Sequence, residues 1–288
     1  MFPKCVILCS GVCFAHYKTY EGGKIMARQK LAGIMKLITA ELGDTLPEKA
    51  FLLDLKRSIE MTDKKESHVG SPNYKPSCMG CIRQMYYIRN GVPEDEGNNV
   101  DYQLIGICNS GSDIHVRIQT YISKMKENGI DCEYVDVEEF VKSRELQDIE
   151  VVSQNGMETK LYHRQLHLSF LCDGIIKYKG VYYILELKSE GSNKFWQREG
   201  VDPSHFNQAT CYSLSLGLDN VVFVYINRDN LDMKSFMFTV TPDMKQNIVG
   251  LITNCENYVN QHQVPPKPTN VTPKTCNYCH HKELCRRD

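Results

Sequence analysis

The sequence predicts an α/β fold, a mixed sheet flanked by helices. Three observations carry that expectation. Asn155-Gly156 and Lys179-Gly180 each join two strand-like runs, so they read as hairpin turns. Before them, Ile114, Ile118, Tyr121, Ile122 and Met125 form one apolar stripe at helical spacing. After them the order is helix, strand, strand, helix.

The elements follow in chain order. Cys5, Cys9 and Cys13 recur every fourth residue and read as small apolar positions of a weakly packed extension. Met26 opens a cleaner amphipathic helix over residues 26–42, and it is the expected natural start. A second helix is expected at 49–61. Residues 62–76 are polar, contain Pro72 and Pro76, and read as a linker. A short helix through Tyr86 and an acidic loop at 93–99 come next. The helix at 112–128 takes Ser110 or Ser112 as its cap and ends at Gly129. Strands are expected at 149–153 and 159–163, then at 166–178 and 181–189. A helix at 204–216 precedes strands at 220–227 and 235–240. A long helix at 243–262 leads into a proline-rich strap at 264–273. Residues 1–75 are thus expected to form a helical extension and linker, and 76–288 the functional domain.

The totals narrow the function classes. The chain has 288 residues and 42% hydrophobic content, enough for one sizeable core. Its formal net charge is −1, so contact with nucleic acid has to come from a local patch rather than a global field. The apolar run at 5–15 lacks the basic flank of a signal peptide, and no stretch reaches the length of a membrane span. A soluble cytoplasmic protein is expected. In that reducing setting its 13 cysteines point to metal rather than disulfides.

Four of those cysteines stand out. Cys81 lies in Cys81-Ile-Arg83-Gln-Met-Tyr86-Tyr87, and the others close the chain as Cys276-x2-Cys279-x5-Cys285. Thiolates so spaced form a metal or cluster site, and spacing alone suits zinc as well as iron–sulfur. Cys78 offers a competing thiol three residues before Cys81.

Between the two ends lies a set of hard ligands. Asp173 and the Glu186-Leu187-Lys188 tripeptide fall on hairpin strands, and alternation puts Glu186 and Lys188 on one face. Two carboxylates there suit Mg²⁺ or Mn²⁺, and a bound ion would acidify water and neutralise phosphate charge. Lys188 would orient that water or stabilise developing charge. His115 would complete the coordination and favour Mn²⁺. Gln208 and Tyr212 share one helix face. Glu-x-Lys alone is a weak motif on an exposed strand, but here the charges interrupt an otherwise apolar run.

In this order, His115, Asp173, Glu186-x-Lys188 and Gln208-x3-Tyr212 resemble the RecB-type branch of the PD-(D/E)XK nucleases. With the four cysteines, residues 77–288 resemble its iron–sulfur members: the CRISPR-associated Cas-four type, the AddB nuclease domain and stand-alone phage exonucleases. The resemblance implies a restriction-endonuclease-like mixed sheet with an iron–sulfur clasp. It implies that His115, Asp173, Glu186 and the Leu187 carbonyl bind the catalytic ion, and that Lys188 is the catalytic lysine. Gln208 and Tyr212 would support the site, and Cys81, Cys276, Cys279 and Cys285 would hold a 4Fe-4S cluster. The implied activity is exonucleolytic hydrolysis at single-stranded or unwound DNA ends, in phage recombination and replication or in CRISPR adaptation. Implied partners are DNA, recombination or adaptation proteins and a second copy of the chain, in a bacterial or phage-infected cell. No GxxxxGK[ST] motor motif is present in the sequence. The long amino-terminal extension favours the phage type.

Lys194, Trp196 and Arg198 lie between the catalytic strand and the Gln208 helix and read as a DNA-stacking and phosphate-binding patch. The bland alternative for Trp196 is a loop anchor. Two rival functions stay open on sequence: a structure-specific endonuclease on the same site, and a non-catalytic DNA-binding protein with a structural iron–sulfur or zinc centre.

Overall fold

The computed structural model describes residues 46–62, 71–95, 101–269, 271, 273–277 and 279–287. The expected helix at 26–42 and Cys5, Cys9 and Cys13 lie outside these residues. The chain divides into two compact units, Met1–Ile59 and Glu60–Asp288. Helix α1 (Pro47–Thr62), most of which falls in the first, matches expectation and exposes Phe51, Leu52, Leu53 and Leu55.

The second unit carries the mixed α/β architecture. Helices α2 (Ile82–Arg89) and α3 (Tyr102–Ser123) precede strand β1 (Cys132–Val135) and the short α4 (Val137–Ser143). Strands β2 (Ile149–Asn155), β3 (Glu158–His163) and β4 (Leu168–Cys172) form a small antiparallel sheet. Strands β5 (Gly174–Tyr178), β6 (Val181–Glu190), β7 (Asn220–Asn227) and β8 (Met233–Thr239) join β1 in the main sheet, in the order β1-β5-β6-β7-β8. Only the β6–β7 pair of that sheet is parallel. Helices α5 (Ser192–Trp196) and α6 (Pro203–Leu216) form the β6–β7 crossover. Helices α7 (Pro242–Asn260), α8 (Pro273–Asn277) and α9 (Lys282–Arg287) complete the unit.

The main sheet buries both faces. Leu185 and Leu187 pack with Ile114 and Ile118 of α3. Ile175, Ile184, Val221 and Phe223 pack on the other face with Ala209 and Leu216 of α6 and Ile248 and Ile252 of α7. Strand alternation therefore turns Glu186 and Lys188 toward α6. The Lys179-Gly180 hairpin forms as expected, with both residues at positive φ (49° and 82°), the type I′ requirement.

Two expectations needed correction. Helix α3 starts at Tyr102, well before residue 112, because Asp101 accepts the Leu104 N–H at 2.8 Å. Ser112 does not cap it; its hydroxyl donates back to the Cys108 carbonyl. More important, the run at 166–178 is not one strand. It breaks at Asp173, and the two halves belong to different sheets.

Gly174 makes that break. Its φ is +153°, and a Cβ there would lie 2.7 Å from the Tyr134 ring and hydroxyl. The Tyr134 hydroxyl donates to the Met157 carbonyl at 2.7 Å and approaches that of Asp173 at 3.3 Å. Gln119, 1% exposed on α3, donates to the same Asp173 carbonyl at 2.7 Å. Gly174→Ala is expected to cost about 2 kcal/mol or more in urea denaturation, since both the backbone and the Tyr134 contact resist a side chain there.

Candidate metal centre

The break at Asp173 assembles the site. Thr159 pairs with Cys172 in the small sheet, and Gly174 pairs with Leu185 in the main sheet. One step beyond each register, Asp173 has Glu158 across from it on one side and Glu186 on the other. Three carboxylates thus stand at adjacent positions on neighbouring strands. Like charges so placed repel unless a cation or proton lies among them.

His115 approaches from α3. Gly111, one turn earlier, allows this helix close to β6: a Cβ there would be 3.1 Å from the Ser189 hydroxyl. The His115 Nδ1 lies 3.6 Å from Asp173 Oδ1 and 3.8 Å from Glu158 Oε1. Ligand atoms of His115, Glu158 and Asp173 all fall within 4.8 Å of one another. Burial opposes a charged imidazole, but Asp173 and Glu158 outweigh it and carry His115 up to about 9.

Asp173 is fixed by its other oxygen, which accepts the Leu187 N–H at 2.7 Å. Glu186, 2% exposed, pairs through Oε1 with the Lys188 ammonium. Gln208 ties both together: its Nε2 donates to Glu186 Oε1 at 2.9 Å and to the Tyr212 hydroxyl at 2.5 Å, and its Oε1 accepts from Lys188 at 3.2 Å. Tyr212 is held by Phe170, with ring centres 4.8 Å apart. Burial first, then the charge of Asp173, push the Glu186 carboxyl above the usual carboxylate range, against the pull of Lys188 and His115. Its second oxygen, Oε2, is buried with no hydrogen-bond partner among the described residues. An orphaned buried carboxylate oxygen beside Asp173 fits a site built for a divalent cation.

The structure therefore sets His115 against Asp173, bonds Asp173 to Leu187, and joins Glu186, Lys188, Gln208 and Tyr212 in a network; Glu186 lies outside the group of ligand atoms mutually within 4.8 Å, where Glu158 stands instead. It adds Glu158, Gln119 and Tyr134, which no motif had marked.

The segment after β6 departs from expectation. Arg198 is turned inward, its side chain 6% exposed, with Nε and one terminal nitrogen donating to the two oxygens of buried Glu190 at 2.6 and 2.7 Å. It also covers the Tyr225 ring at 3.8 Å. The charge expected to meet phosphate thus anchors the loop. Lys194, half exposed, pairs with Asp202 at 3.0 Å, while Trp196 is 58% exposed and meets Phe195 edge-on. Lys234 donates to the carbonyls of Phe195 and Arg198, both at 2.9 Å. An open cleft of about 590 Å³ lies where β6 ends, lined by Ser189, Gly191, Lys194 and Arg228 among others.

No three of the four expected thiols bring their sulfurs within 4.8 Å of one another among the described residues. Cys81 is the N-cap of α2, and Cys285 lies on α9. Burial first, and then neighbouring thiols, push the Cys81 and Cys279 thiols up. Burial likewise pushes the Cys78 thiol up, with Ser77 and Lys75 pulling the other way. An all-thiolate donor set fits zinc or an iron–sulfur cluster and not a hard cation.

Protein contacts alone already join the two ends here. Arg83, 4% exposed, donates to the Pro265 carbonyl at 2.8 Å and to the Cys285 carbonyl at 3.1 Å, and lies 3.5 Å from the Cys285 sulfur. Asp95 caps α9 by accepting the N–H groups of Glu283 and Leu284. Buried His281 contacts the Val92 carbonyl at 3.1 Å and lies tilted against Tyr87, with ring centres 5.4 Å apart.

No protein-family model matches the chain, and no curated protein does. Among solved structures it is similar to the crystal structure of SSO0001, at 15% identity over 82% of this chain and 95% of that one, with a TM-score of 0.40. It is also similar to an alkaline exonuclease (LHK-Exo) from Laribacter hongkongensis, at 10% identity over 67% of this chain and 92% of that one, with a TM-score of 0.33. At such low identity and TM-score, the reading of the site rests on its own geometry. No helix among the described residues is long and apolar enough to cross a membrane.

His205 generates a pH prediction. It stacks on Phe223 and Tyr225 and shares a 2.9 Å hydrogen bond with the Tyr225 hydroxyl. Burial first, then Lys188, lower it from 6.5 to about 4. It stays neutral in the fold at a pH where the unfolded chain binds a proton. Stability should therefore be lost as pH falls from 6.5 toward 4. His205→Asn should flatten that slope in urea midpoints measured across the window.

Proposed function

We propose that this chain is a divalent-metal-dependent deoxyribonuclease of the RecB-type PD-(D/E)XK class. The observation that carries the reading is one continuous network: the Glu186–Lys188 pair held by Gln208 and Tyr212, beside Asp173 locked to the Leu187 N–H.

His115, Asp173 and Glu186, with the Leu187 carbonyl, would hold Mg²⁺ or Mn²⁺. The ion supplies a Lewis acid for phosphate and a more acidic water. The chain's own residues do the rest. Asp173 is kept from rotating by its backbone partner. Glu186 and Gln208 fix the Lys188 ammonium, which would orient the attacking water or meet negative charge on the phosphate. Gln208 and Tyr212 act as positioning residues.

Cys81, Cys276, Cys279 and Cys285 would hold the 4Fe-4S cluster, as a structural clasp distant in sequence from the chemistry. Zinc is the alternative occupant of the same thiols. For DNA, Trp196 is the exposed stacking surface, with Lys194 beside the cleft at the end of β6 and Arg198 buttressing the loop from within. The proposed substrate is single-stranded or unwound DNA ends. The proposed setting is the cytoplasm of a bacterial or phage-infected cell, in phage recombination and replication or CRISPR adaptation, with recombination or adaptation proteins or a second copy as partners.

Purified protein should degrade end-labelled DNA only when Mn²⁺ or Mg²⁺ is added. Lys188→Ala and Glu186→Ala should each lower the rate by about 10²–10³-fold. Equal rates in wild type and both variants would sink the nuclease reading, and cleavage of end-blocked circles would replace exonuclease with endonuclease.

For the thiols, anaerobically purified protein is expected to be brown and to contain iron. Cys285→Ala should lose the colour and lower Tm, with activity falling as a consequence. Colourless protein containing zinc would overturn the iron assignment.

A further inference from the structure

The small sheet carries a carboxylate that the family resemblance does not assign to the site. We propose that Glu158 is a direct ligand of the divalent ion, completing with His115 and Asp173 a centre built jointly by both sheets.

Three observations support it. First, the placement is set by backbone register: Thr159 opposite Cys172 puts Glu158 opposite Asp173, one step past the paired strands. Second, the tip that bears Glu158 is tied down. Asn155 pairs with Glu158 across a tight turn, and the Tyr134 hydroxyl donates to the neighbouring Met157 carbonyl while reaching that of Asp173. A surface carboxylate would not need this tether, whereas a ligand does, because metal geometry tolerates little drift. Third, the Glu158 and Asp173 oxygens both face His115 Nδ1, at 3.8 and 3.6 Å, beyond normal hydrogen-bond length. Those two separations are ones that a single ion can bridge at ordinary metal–oxygen and metal–nitrogen lengths of about 2.0–2.2 Å, and all three ligand atoms fall within 4.8 Å of one another.

An independent feature points to the same ion. Glu186 Oε2 is buried and unpartnered among the described residues, although Oε1 of the same carboxylate has two partners. Lys188 and Gln208 saturate one side of Glu186 and leave the other as an acceptor with nothing to accept from. A cation among Glu158, Asp173 and Glu186 satisfies that oxygen and relieves the repulsion between adjacent carboxylates.

The inference rests on the divalent-ion reading of this site, and its test separates the two. Mn²⁺ binding is measured by calorimetry on the full chain at fixed pH and salt, for wild type, Glu158→Gln, Glu158→Asp and Asp173→Asn. Metal-free thermal melts verify that each variant is folded. Glu158→Gln is expected to weaken Mn²⁺ binding at least about tenfold. Glu158→Asp keeps the charge but withdraws the oxygens by one methylene, so it should remain weaker than wild type. Restoration of wild-type affinity by Glu158→Asp would mean action through charge alone and would overturn ligation. Weakening in Asp173→Asn with no change in Glu158→Gln would also overturn it while leaving the metal site intact. Wild-type protein that binds no Mn²⁺ would remove the metal reading and this inference together.

Discussion

The structure turns on one backbone event, the passage of the chain from one sheet to another at Asp173. A strand that continued straight would place this side chain in a uniform ladder. Instead Gly174 adopts a conformation closed to most residues, and Asp173 is left at the end of two registers. Its carbonyl is held by Gln119 from α3 and approached by Tyr134 from β1. Its carboxylate is held by the Leu187 N–H from β6. Those elements are fixed by the cores on the two faces of the sheet, so the position of one side chain depends on most of the domain.

Electrostatics explains why such fixing is needed. Carboxylates brought together in a water-poor site repel, and relaxed side chains would swing apart to regain water. Partners restrain two of them directly, Gln208 and Lys188 on Glu186 and the peptide N–H on Asp173, while at Glu158 the tether acts on the backbone of the neighbouring Met157. The same logic applies at the thiols, where Arg83 faces Cys285 and Asp95 caps the helix that carries it. The carboxylate site is thus held in place by the protein's own contacts, which lowers the reorganisation that binding a cation would require.

Much of this was legible in the sequence, for identifiable reasons. Glu186 and Lys188 share a face because strand side chains alternate, and Gln208 and Tyr212 because a helix repeats near four. The turn at Lys179-Gly180 follows from local conformational preference. Other features have no local code. The apolar run at 166–178 looks like one strand because nothing in its composition marks a change of sheet. Glu158 becomes a neighbour of Asp173 only through that change. Arg198 turns inward because Glu190 is buried beside it, a tertiary fact. Helix α4 was readable: Asp136 accepts the Glu139 N–H, and the Asp-x-x-Glu pattern is a capping-box arrangement that its short length concealed.

The interlock between α2 and α9 has a consequence for how the protein is made. Arg83 bonds the Cys285 carbonyl across a sequence separation of 202 residues, and Asp95 waits for N–H groups 188 and 189 residues away. On a ribosome adding about 5–20 residues per second, the earlier half of that joint emerges at least about ten seconds before the later half. Through that interval Arg83 lacks its partners and the apolar surface around Tyr86 and Tyr87 lacks its cover. A chain broken off before α9 never acquires them. The joint is therefore among the last contacts of this unit that synthesis can supply, and its stability depends on residues far apart in the chain.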